Sequence, residues 1–324
     1  MVVMLNVLVT GVGAVIGQGI VSSLRLMSRA VRIVGLDRNA NCVGRHFCDG
    51  FNVKPACDES EGGYLEFWRK FLVDEKIDIV LPGIEPDVFF LNSFRDTLSG
   101  GKAVLALNSA GLIELSRDKW LFSKSLRAGN FHSIPTVLAT SWGECLESLG
   151  DPPFLLKPRH GSGSRGIVRA AEPEDFLYWT RKAKDRYIAQ KIIGSEDEEY
   201  TVAAFGLGNG RSGLPIVFRR RLSAHGNTEF AELVREPDIE EAVAQLSRYF
   251  HPVGPTNYQF RKEKGVPYVM EINPRFSSST SIRAGFGYNE AEMTIAFYLD
   301  GLEPIARVTE SGRAWRYAAD YFSR

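Results

Sequence analysis

Short apolar runs alternate with segments of helical spacing through roughly the first hundred residues. "MLNVLV" precedes a helix expected to begin near Gly17, and "VRIVGL" follows it. "GYLEFWRKFLVDEK" places its apolar residues at helical intervals ahead of the short run "IDIVLPG". Pro86 stands where a first helical turn tolerates it, before "DVFFLNSFRDTL", and "KAVLAL" closes the series. Strand and helix in alternation predict an α/β unit built on a parallel, doubly wound sheet. The pattern changes after Asn108. "SRDKWLFSKSLRAG" reads as a helix capped by Ser116 and stopped by Gly129. Beyond it come "PPFLLKPRHGSGSRGIVRA", a helix from Pro173 to about Lys184, and "RYIAQKIIG". The strands "EEYTVAAFGLG" and "LPIVFRRRLSA", the helix "DIEEAVAQLSRYF" and paired strands ending in "YVMEINPR" complete an α+β pattern.

Composition narrows the class. With 324 residues, 44% hydrophobic and 24% charged, the chain is ordinary for a soluble globular protein of two or so domains. Thirty-nine basic residues balance thirty-nine acidic ones, so no overall field favours nucleic acid or an anionic membrane. "MVVMLNVLV" reads as a first strand rather than a signal peptide, and no apolar run has membrane-spanning length. Cys42, Cys48, Cys57 and Cys145 form no C-x-x-C pair, and Cys42, His46 and Cys48 fit no common zinc module. Reduced thiols in a cytoplasmic protein are expected.

Three segments carry candidate chemistry. In "LVTGVGAVIGQGIVSSL", Gly11, Gly13 and Gly17 read G-x-G-x-x-x-G, one residue longer than the dinucleotide fingerprint, and Asp37 follows the next apolar run. The motif alone leaves both a tight strand-to-helix turn and a nucleotide-related role open. In "LLKPRHGSGSRGIV", Lys157 ends an apolar strand before a loop of Gly and Ser. Small residues let backbone N–H groups converge on phosphate while a lysine supplies a cation, although a plain hairpin loop reads the same way. In "NYQFRKEKGVPYVMEINPRFSSS", Glu271 and Asn273 share a strand face and Gln259 lies on the preceding strand. Together they offer hard oxygen ligands suited to Mg²⁺, with the planar fork of Arg275 just beyond. For Gln259 and Glu271 to share a cation, both side chains must face one side of the sheet; placing them directly opposite centres the connection on Gly265 with residues 263–267 as the loop, whereas a two-residue turn at Glu263–Lys264 would put them on opposite faces.

The segment "NYQF" followed by "EINPRFSSSTSIRAGFGYN", with "LLKPRHGSGSRGIV" and "IAQKIIGSEDEEYTVAAF" ahead of it, resembles the ATP-grasp superfamily over nearly the whole chain. It is similar in particular to the synthetase modules of the carbamoyl-phosphate synthetase large chain. The resemblance implies a Rossmann-like (pre-ATP-grasp) domain at residues 1–110, which binds no dinucleotide and turns its glycines toward a substrate cleft. An ATP-grasp domain of two subdomains would follow at 111–305, with a glycine-loop lobe at 111–193, a metal-site lobe at 194–305, and a C-terminal tail at 306–324.

The same resemblance implies roles. Lys119 and Lys157 would reach ATP phosphate beside a mobile loop containing Gly161, Ser162, Gly163, Ser164 and Gly166. Gln190, where glutamate is commoner, would receive adenine with the backbone of Lys191, Ile192 and Ile193, and Glu199 would bind ribose. Gln259, Glu271 and Asn273 match metal ligands, and Asn257 and Arg275 match residues beside the transferred phosphoryl group. Glu85 or Asp87 would suit a substrate amine or else cap a helix, and Arg283 would meet a carboxylate from the opposite wall. Of the run Arg219, Arg220 and Arg221, alternate members face opposite sides; Arg219 and Arg221 are candidates for an anionic substrate, as is His225 for phosphate.

The implied chemistry is ligation: ATP activates a small-molecule carboxylate as an acylphosphate, which an amine attacks. ATP and two Mg²⁺ ions, replaceable by Mn²⁺, are the implied cofactors. The expected partners are the acid and the amine, without nucleic acid or membrane, with a second copy in a homodimer left open. Carboxylase-type or kinase-type phosphoryl transfer on the same site, or non-catalytic nucleotide binding, are the alternatives. Two departures stand out. Gln259 replaces an acid found in many single-module ligases, and the chain carries one module where the synthetase large chain carries two.

Overall fold

The computed structural model describes residues 4–161, 166–183 and 186–323. Its first part is a five-stranded parallel sheet in the order β3-β2-β1-β4-β5. The strands are β1 (Leu5–Thr10), β2 (Val31–Asp37), β3 (Gly50–Val53), β4 (Ile79–Leu81) and β5 (Val104–Leu105). The helices are α1 (Val15–Arg25), α2 (Gly62–Asp74), α3 (Glu85–Ser93) and α4 (Arg95–Ser99). "DVFFLNSFRDTL" therefore forms two helices rather than one, parted at Phe94, where φ is −114° and ψ 22°. Pro86 falls in the first turn, as its missing N–H allows.

Both faces of this sheet are buried, which is why its strands read as continuous apolar runs instead of alternating ones. One face packs Leu8, Val34 and Val80 on Tyr64, Trp68 and Leu91 from α2 and α3. The other packs Val7, Val9 and Ile79 on Ile20 and Leu24 of α1, and on Phe276, Ala291 and Ile295 from the far end of the chain. The N-terminal sheet and the C-terminal lobe thus share one core.

Helices α5 (Ala110–Ser116) and α6 (Lys119–Ala128) lead into a four-stranded antiparallel sheet ordered β6-β9-β7-β8. Its strands are β6 (Thr136–Leu138), β7 (Phe154–Pro158), β8 (Val168–Ala170) and β9 (Tyr187–Lys191), joined with α7 (Trp142–Leu149) and α8 (Pro173–Lys182). The cap of α6 is Asp118, whose carboxylate accepts from Trp120 N and Leu121 N. Ser116, the expected cap, instead donates its hydroxyl to Ile113 O and ends α5. A charged acceptor at the helix start outcompetes a hydroxyl placed two residues too early.

The third sheet is antiparallel with six strands, ordered β16-β15-β10-β12-β13-β17. It contains β10 (Glu199–Ala203), β12 (Ile216–Leu222), β13 (Thr228–Leu233), β15 (Asn257–Glu263) and β16 (Val266–Asn273). A small pair, β11 (Gly206–Leu207) and β14 (Val253–Gly254), lies outside it, and α9 (Pro237–Phe250) packs on one face. Helices α10 (Thr280–Gly285) and α11 (Glu290–Tyr298) then return to α1. The stretch expected as a tail supplies a strand, β17 (Gly312–Trp315), paired with β13. Farther on, Tyr321 stacks on His46 with ring centroids 5.0 Å apart.

Candidate functional site

Register in the six-stranded sheet decides which side chains meet. Along β10, Tyr200 and Val202 point into the α9 core, so Glu199 and Thr201 face the other way. Gln259 stands directly opposite Thr201, and Arg261 opposite Glu199. Gln259 also stands directly opposite Glu271, so the two side chains share the face away from α9. The route to that pairing differs from the expected five-residue loop. Glu263 pairs with Val266 across a two-residue turn whose residues, Lys264 and Gly265, both have positive φ (51° and 80°). This is the tight hairpin geometry that matches strand twist. A tight turn alone would set Gln259 opposite Met270, but an irregularity between Gln259 and Phe260 adds one residue on β16 and restores the pairing with Glu271.

The surrounding charges are dense. The Glu199 carboxylate is buried, accepting from Nε and Nη2 of Arg220 at 3.1 and 3.0 Å and from Nη2 of Arg261 at 2.6 Å. Burial alone would raise its pKa, but the two guanidiniums hold it below the ordinary carboxylate value. Lys157, near the end of β7, belongs to the four-stranded sheet and is an electrostatic neighbour of Glu271. Burial lowers its pKa, while Glu271 pulls in the opposite direction. Lys119, the first residue of α6, donates from Nζ to Gly161 O at 2.5 Å. Asp118 binds Arg159 through both carboxylate oxygens, at 2.5–2.9 Å, and so ties the base of the glycine loop to α6. Gly161 and Gly166 flank that loop with positive φ of 112° and 72°. Ser162, Gly163 and Ser164 lie outside the described residues.

Gln190 is buried on β9. Its Nε2 donates to Thr136 Oγ1 at 2.8 Å, and that hydroxyl donates onward to Ile134 O. Because the hydroxyl proton is committed, the amide orientation follows, and Gln190 Oε1 is left buried with no partner among the described residues. Lys191 N donates to Pro135 O. Ile192 and Ile193 then lead to Gly194, where a side chain would strike Lys262 O at 2.0 Å and approach Arg261 Cγ at 3.3 Å. The turn after β9 therefore rests on the Arg261 stem.

At the other edge, Arg275 donates from Nε and Nη2 to Glu85 Oε1 at 3.2 and 2.5 Å. It also donates to Phe276 O, and to Asn273 Oδ1 at 3.3 Å, while Asn273 Nδ2 donates to Glu271 Oε1 at 2.8 Å. Glu85 opens α3 beyond the carboxyl end of β4, next to the β1–β4 switch point of the parallel sheet, where open α/β sheets take ligands. Among the described residues, no side chain caps the start of that helix. Asp87 is buried and paired with Lys54.

The glycine turn is closed on itself. Gly11 has φ +63°, and any side chain on Gly17 would meet Gly11 O at 2.2 Å, so α1 packs directly on the turn. The Asp37 carboxylate accepts from Gly13 N at 2.8 Å and from Asn39 N at 2.9 Å. The acid that a dinucleotide fold would offer to ribose here braces the loop.

Three expected substrate residues are corrected. Arg219 and Arg221 leave the site: Arg219 is opposite Tyr200, binds Glu232 and is exposed, and Arg221 covers the ring of Phe230. Strand parity turns Arg220 inward in their place. Arg283 is fully buried, with Nη1 on Glu290 and Nη2 on Thr201 and Asn257 Oδ1, so it is a scaffold cation without access to a ligand. Asn257 is correspondingly buried beneath the site, holding Thr201 and Arg283. His225 lies exposed at the tip of the β12–β13 hairpin. Arg220 and Arg261 were missed as site residues, although Arg261 stands two residues from Gln259 and period-two spacing alone would have found it.

Comparison with known proteins fits this geometry. Residues 195–318 match a family model described as ATP-grasp in the biosynthetic pathway with Ter operon, a span that includes β17. Residues 195–318 are thus the part of the chain that matches an ATP-grasp family. The chain is 23% identical over 226 residues to the carbamoyl phosphate synthase large chain of Saccharolobus solfataricus, covering 65% of this chain and 22% of that relative. Among solved structures, the fold matches N5-carboxyaminoimidazole synthetase from Staphylococcus aureus complexed with ADP, with a TM-score of 0.74 and 17% identity, covering 96% of this chain and 82% of that one. L-amino acid ligase from Bacillus licheniformis matches with a TM-score of 0.70 and 18% identity, over 92% and 75% of the two chains. The biotin carboxylase domain of Hydrogenobacter thermophilus 2-oxoglutarate carboxylase matches at 0.73 with 13% identity, over 95% and 73%. Among the described residues no helix is long and apolar enough to cross a membrane.

Proposed function

We propose that this protein is an ATP-grasp ligase, dependent on ATP and Mg²⁺, that activates a small-molecule carboxylate as an acylphosphate for attack by an amine. The observation that carries the reading is the direct pairing of Gln259 with Glu271 on one sheet, with Lys157 of β7 an electrostatic neighbour of Glu271. A cation pocket and a fixed ammonium held by two sheets suit a γ-phosphate between them. The orphaned Gln190 Oε1 fits the amino group of adenine, which donates where an amide oxygen accepts. Gln259 Oε1 and Glu271 would hold the metal that ATP brings, which neutralises phosphate charge when bound. Lys119 and Lys157 would bind phosphate oxygens, and the loop from Gly161 to Gly166 would exclude water that destroys an acylphosphate. Glu85 and Arg275 mark the acid and amine side. Relatives of the same fold include a carboxylase domain with bicarbonate, so bicarbonate belongs among the acids tested.

The test is ADP release with panels of acids in the presence of hydroxylamine, which traps an acylphosphate as a coloured hydroxamate. Acid-dependent ADP release matched by equimolar hydroxamate supports the reading. ADP release without hydroxamate for every acid points to transfer onto another group, and no release for any acid removes the ligase assignment.

A further inference from the structure

The inward-facing arginines of the site each have a carboxylate. Arg220 and Arg261 have Glu199, Arg275 has Glu85 and Arg283 has Glu290. Arg316, in the stretch expected as a tail, has none among the described residues. It directly follows β17, and its backbone N–H donates to Glu229 O, so it continues the pairing with β13. Register sets the direction of its side chain. Ala314 stands opposite Ala231, and Ala231 opposite Arg220, so all three take the face on which Arg220 meets Glu199. Arg316 is two residues beyond Ala314 and takes that face too. Its Nη2 donates to Ser278 O at 2.5 Å, and Ser278 lies three residues past Arg275.

The Arg316 guanidinium keeps an unused donor. Nη1 is buried and has no hydrogen-bond partner among the described residues. Burial lowers the pKa of the group, and no carboxylate acts on it in the opposite direction. Glu232, the acid of β13 opposite Arg313, is held on the other face by Arg219 and Arg313. Taking a guanidinium out of water without a counter-ion is costly, and a bound anion removes that cost. The neighbouring side chains add donors. Ser278 Oγ accepts from Thr228 N at 3.4 Å, which leaves its hydroxyl proton to donate. Thr228 Oγ1 meets Ser279 Oγ at 2.8 Å and accepts from Arg220 Nη1 at 3.4 Å, so this corner is joined to the Glu199 cluster.

We propose that Arg316 is the recognition cation for an oxyanionic group of the acid substrate, carboxylate or phosphate, held between its Nη1 and the Ser278 hydroxyl. This rests on the ligase reading above and adds to it a substrate contact made by the C-terminal stretch. A planar guanidinium suits either anion, since both present paired oxygens to its donors.

The experiment titrates inorganic phosphate and acetate, as probes, into the full chain by calorimetry, with and without a non-hydrolysable ATP analogue. Wild type should bind at least one probe, and Arg316→Met should bind it roughly tenfold or more weakly, as loss of a hydrogen bond from a charged donor predicts. Arg316→Lys should recover part of the loss. Tighter phosphate than acetate assigns the corner to a phosphate group, and the reverse order to a carboxylate. No binding of either probe to wild type, or equal affinity in wild type and Arg316→Met, overturns the proposal. Arg313→Met, from the opposite face of β17, should leave probe affinity unchanged; an equal loss there reduces the effect to net charge and overturns the assignment. Without ligand, Arg316→Met should unfold at the same temperature as wild type or higher, because it removes a charge that lacks a counter-ion. A lower midpoint makes Arg316 a structural residue and overturns its role in recognition. Failure of the analogue to bind wild type removes the ATP-site reading, while the probe titrations on the chain alone still decide the role of Arg316.

Discussion

Arg275 and Arg283 come from one short segment, yet they occupy opposite kinds of place. Arg283 and its partner Glu290 are sealed, at 0% and 1% side-chain exposure, and Thr201 and Asn257 take further donors of the guanidinium. Arg275 and Glu85 are 14% and 19% exposed and join the strand end after β16 to the start of α3 on the parallel sheet. A buried pair embedded in further hydrogen bonds is costly to break, because removing one partner strands the other's charge. A pair at a cleft edge can exchange a protein partner for a ligand at far smaller cost. The contrast separates a sealed pair from an accessible one where the amino-acid types are identical.

The comparison breaks most visibly through Arg283. Arg283→Ala should destabilise the protein by about 3–5 kcal/mol, because Glu290 stays buried without its counter-ion. Urea unfolding measures this, and a loss below about 1 kcal/mol would place Arg283 with the exchangeable residues. Arg275→Ala should leave the unfolding midpoint nearly unchanged and reduce turnover about a hundredfold, corresponding to ~2.7 kcal/mol of lost transition-state stabilisation. Full activity in a folded Arg275→Ala protein would make the Glu85 pair purely structural.

A smaller effect is expected from pH at Asp118, which joins α6 to the glycine-loop strand. Burial would raise its carboxyl, but the Arg159 hydrogen bonds hold it below its ordinary value. A depressed native pKa means the contribution is complete above the unfolded value of about 4 and is lost as pH falls through the native one. Wild type should therefore lose more stability between pH 6 and pH 3 than Asp118→Asn, measured by urea midpoints; equal losses would deny the coupling. The smallest effect is expected at Arg219, on the exposed face. Arg219→Ala should change stability by less than about 1 kcal/mol and leave turnover intact, whereas a large loss of turnover would return Arg219 to the site.

Much of the fold is legible in the order of residues. The parallel unit announces itself because strands buried on both faces must be apolar throughout, and "VLV", "IVGL" and "IVL" are. The common face of Gln259 and Glu271, expected from their spacing about Gly265, is the one observed. How the hairpin achieves it is not legible, because a tight turn and a bulge leave the same parity as a longer loop. β17 escapes a reading of the chain for a different reason. "GRAW" has no apolar run and becomes a strand only because the edge of β13 offers it hydrogen bonds.

What the amino-acid order determined by itself was local: the strand–helix alternation, the stop at Gly129, the Gly- and Ser-rich run after Lys157, and the oxygen-bearing side chains of "NYQF" and "MEIN". These depend on periodicity, backbone freedom and side-chain chemistry, which neighbouring residues specify. Only the tertiary structure decided which of three consecutive arginines turns inward, that Arg283 is sealed by Glu290, and that Glu85 meets Arg275 from 190 residues away. Those outcomes depend on which elements become neighbours. Charge sees whatever is nearest in space, and spacing along the chain does not reveal it.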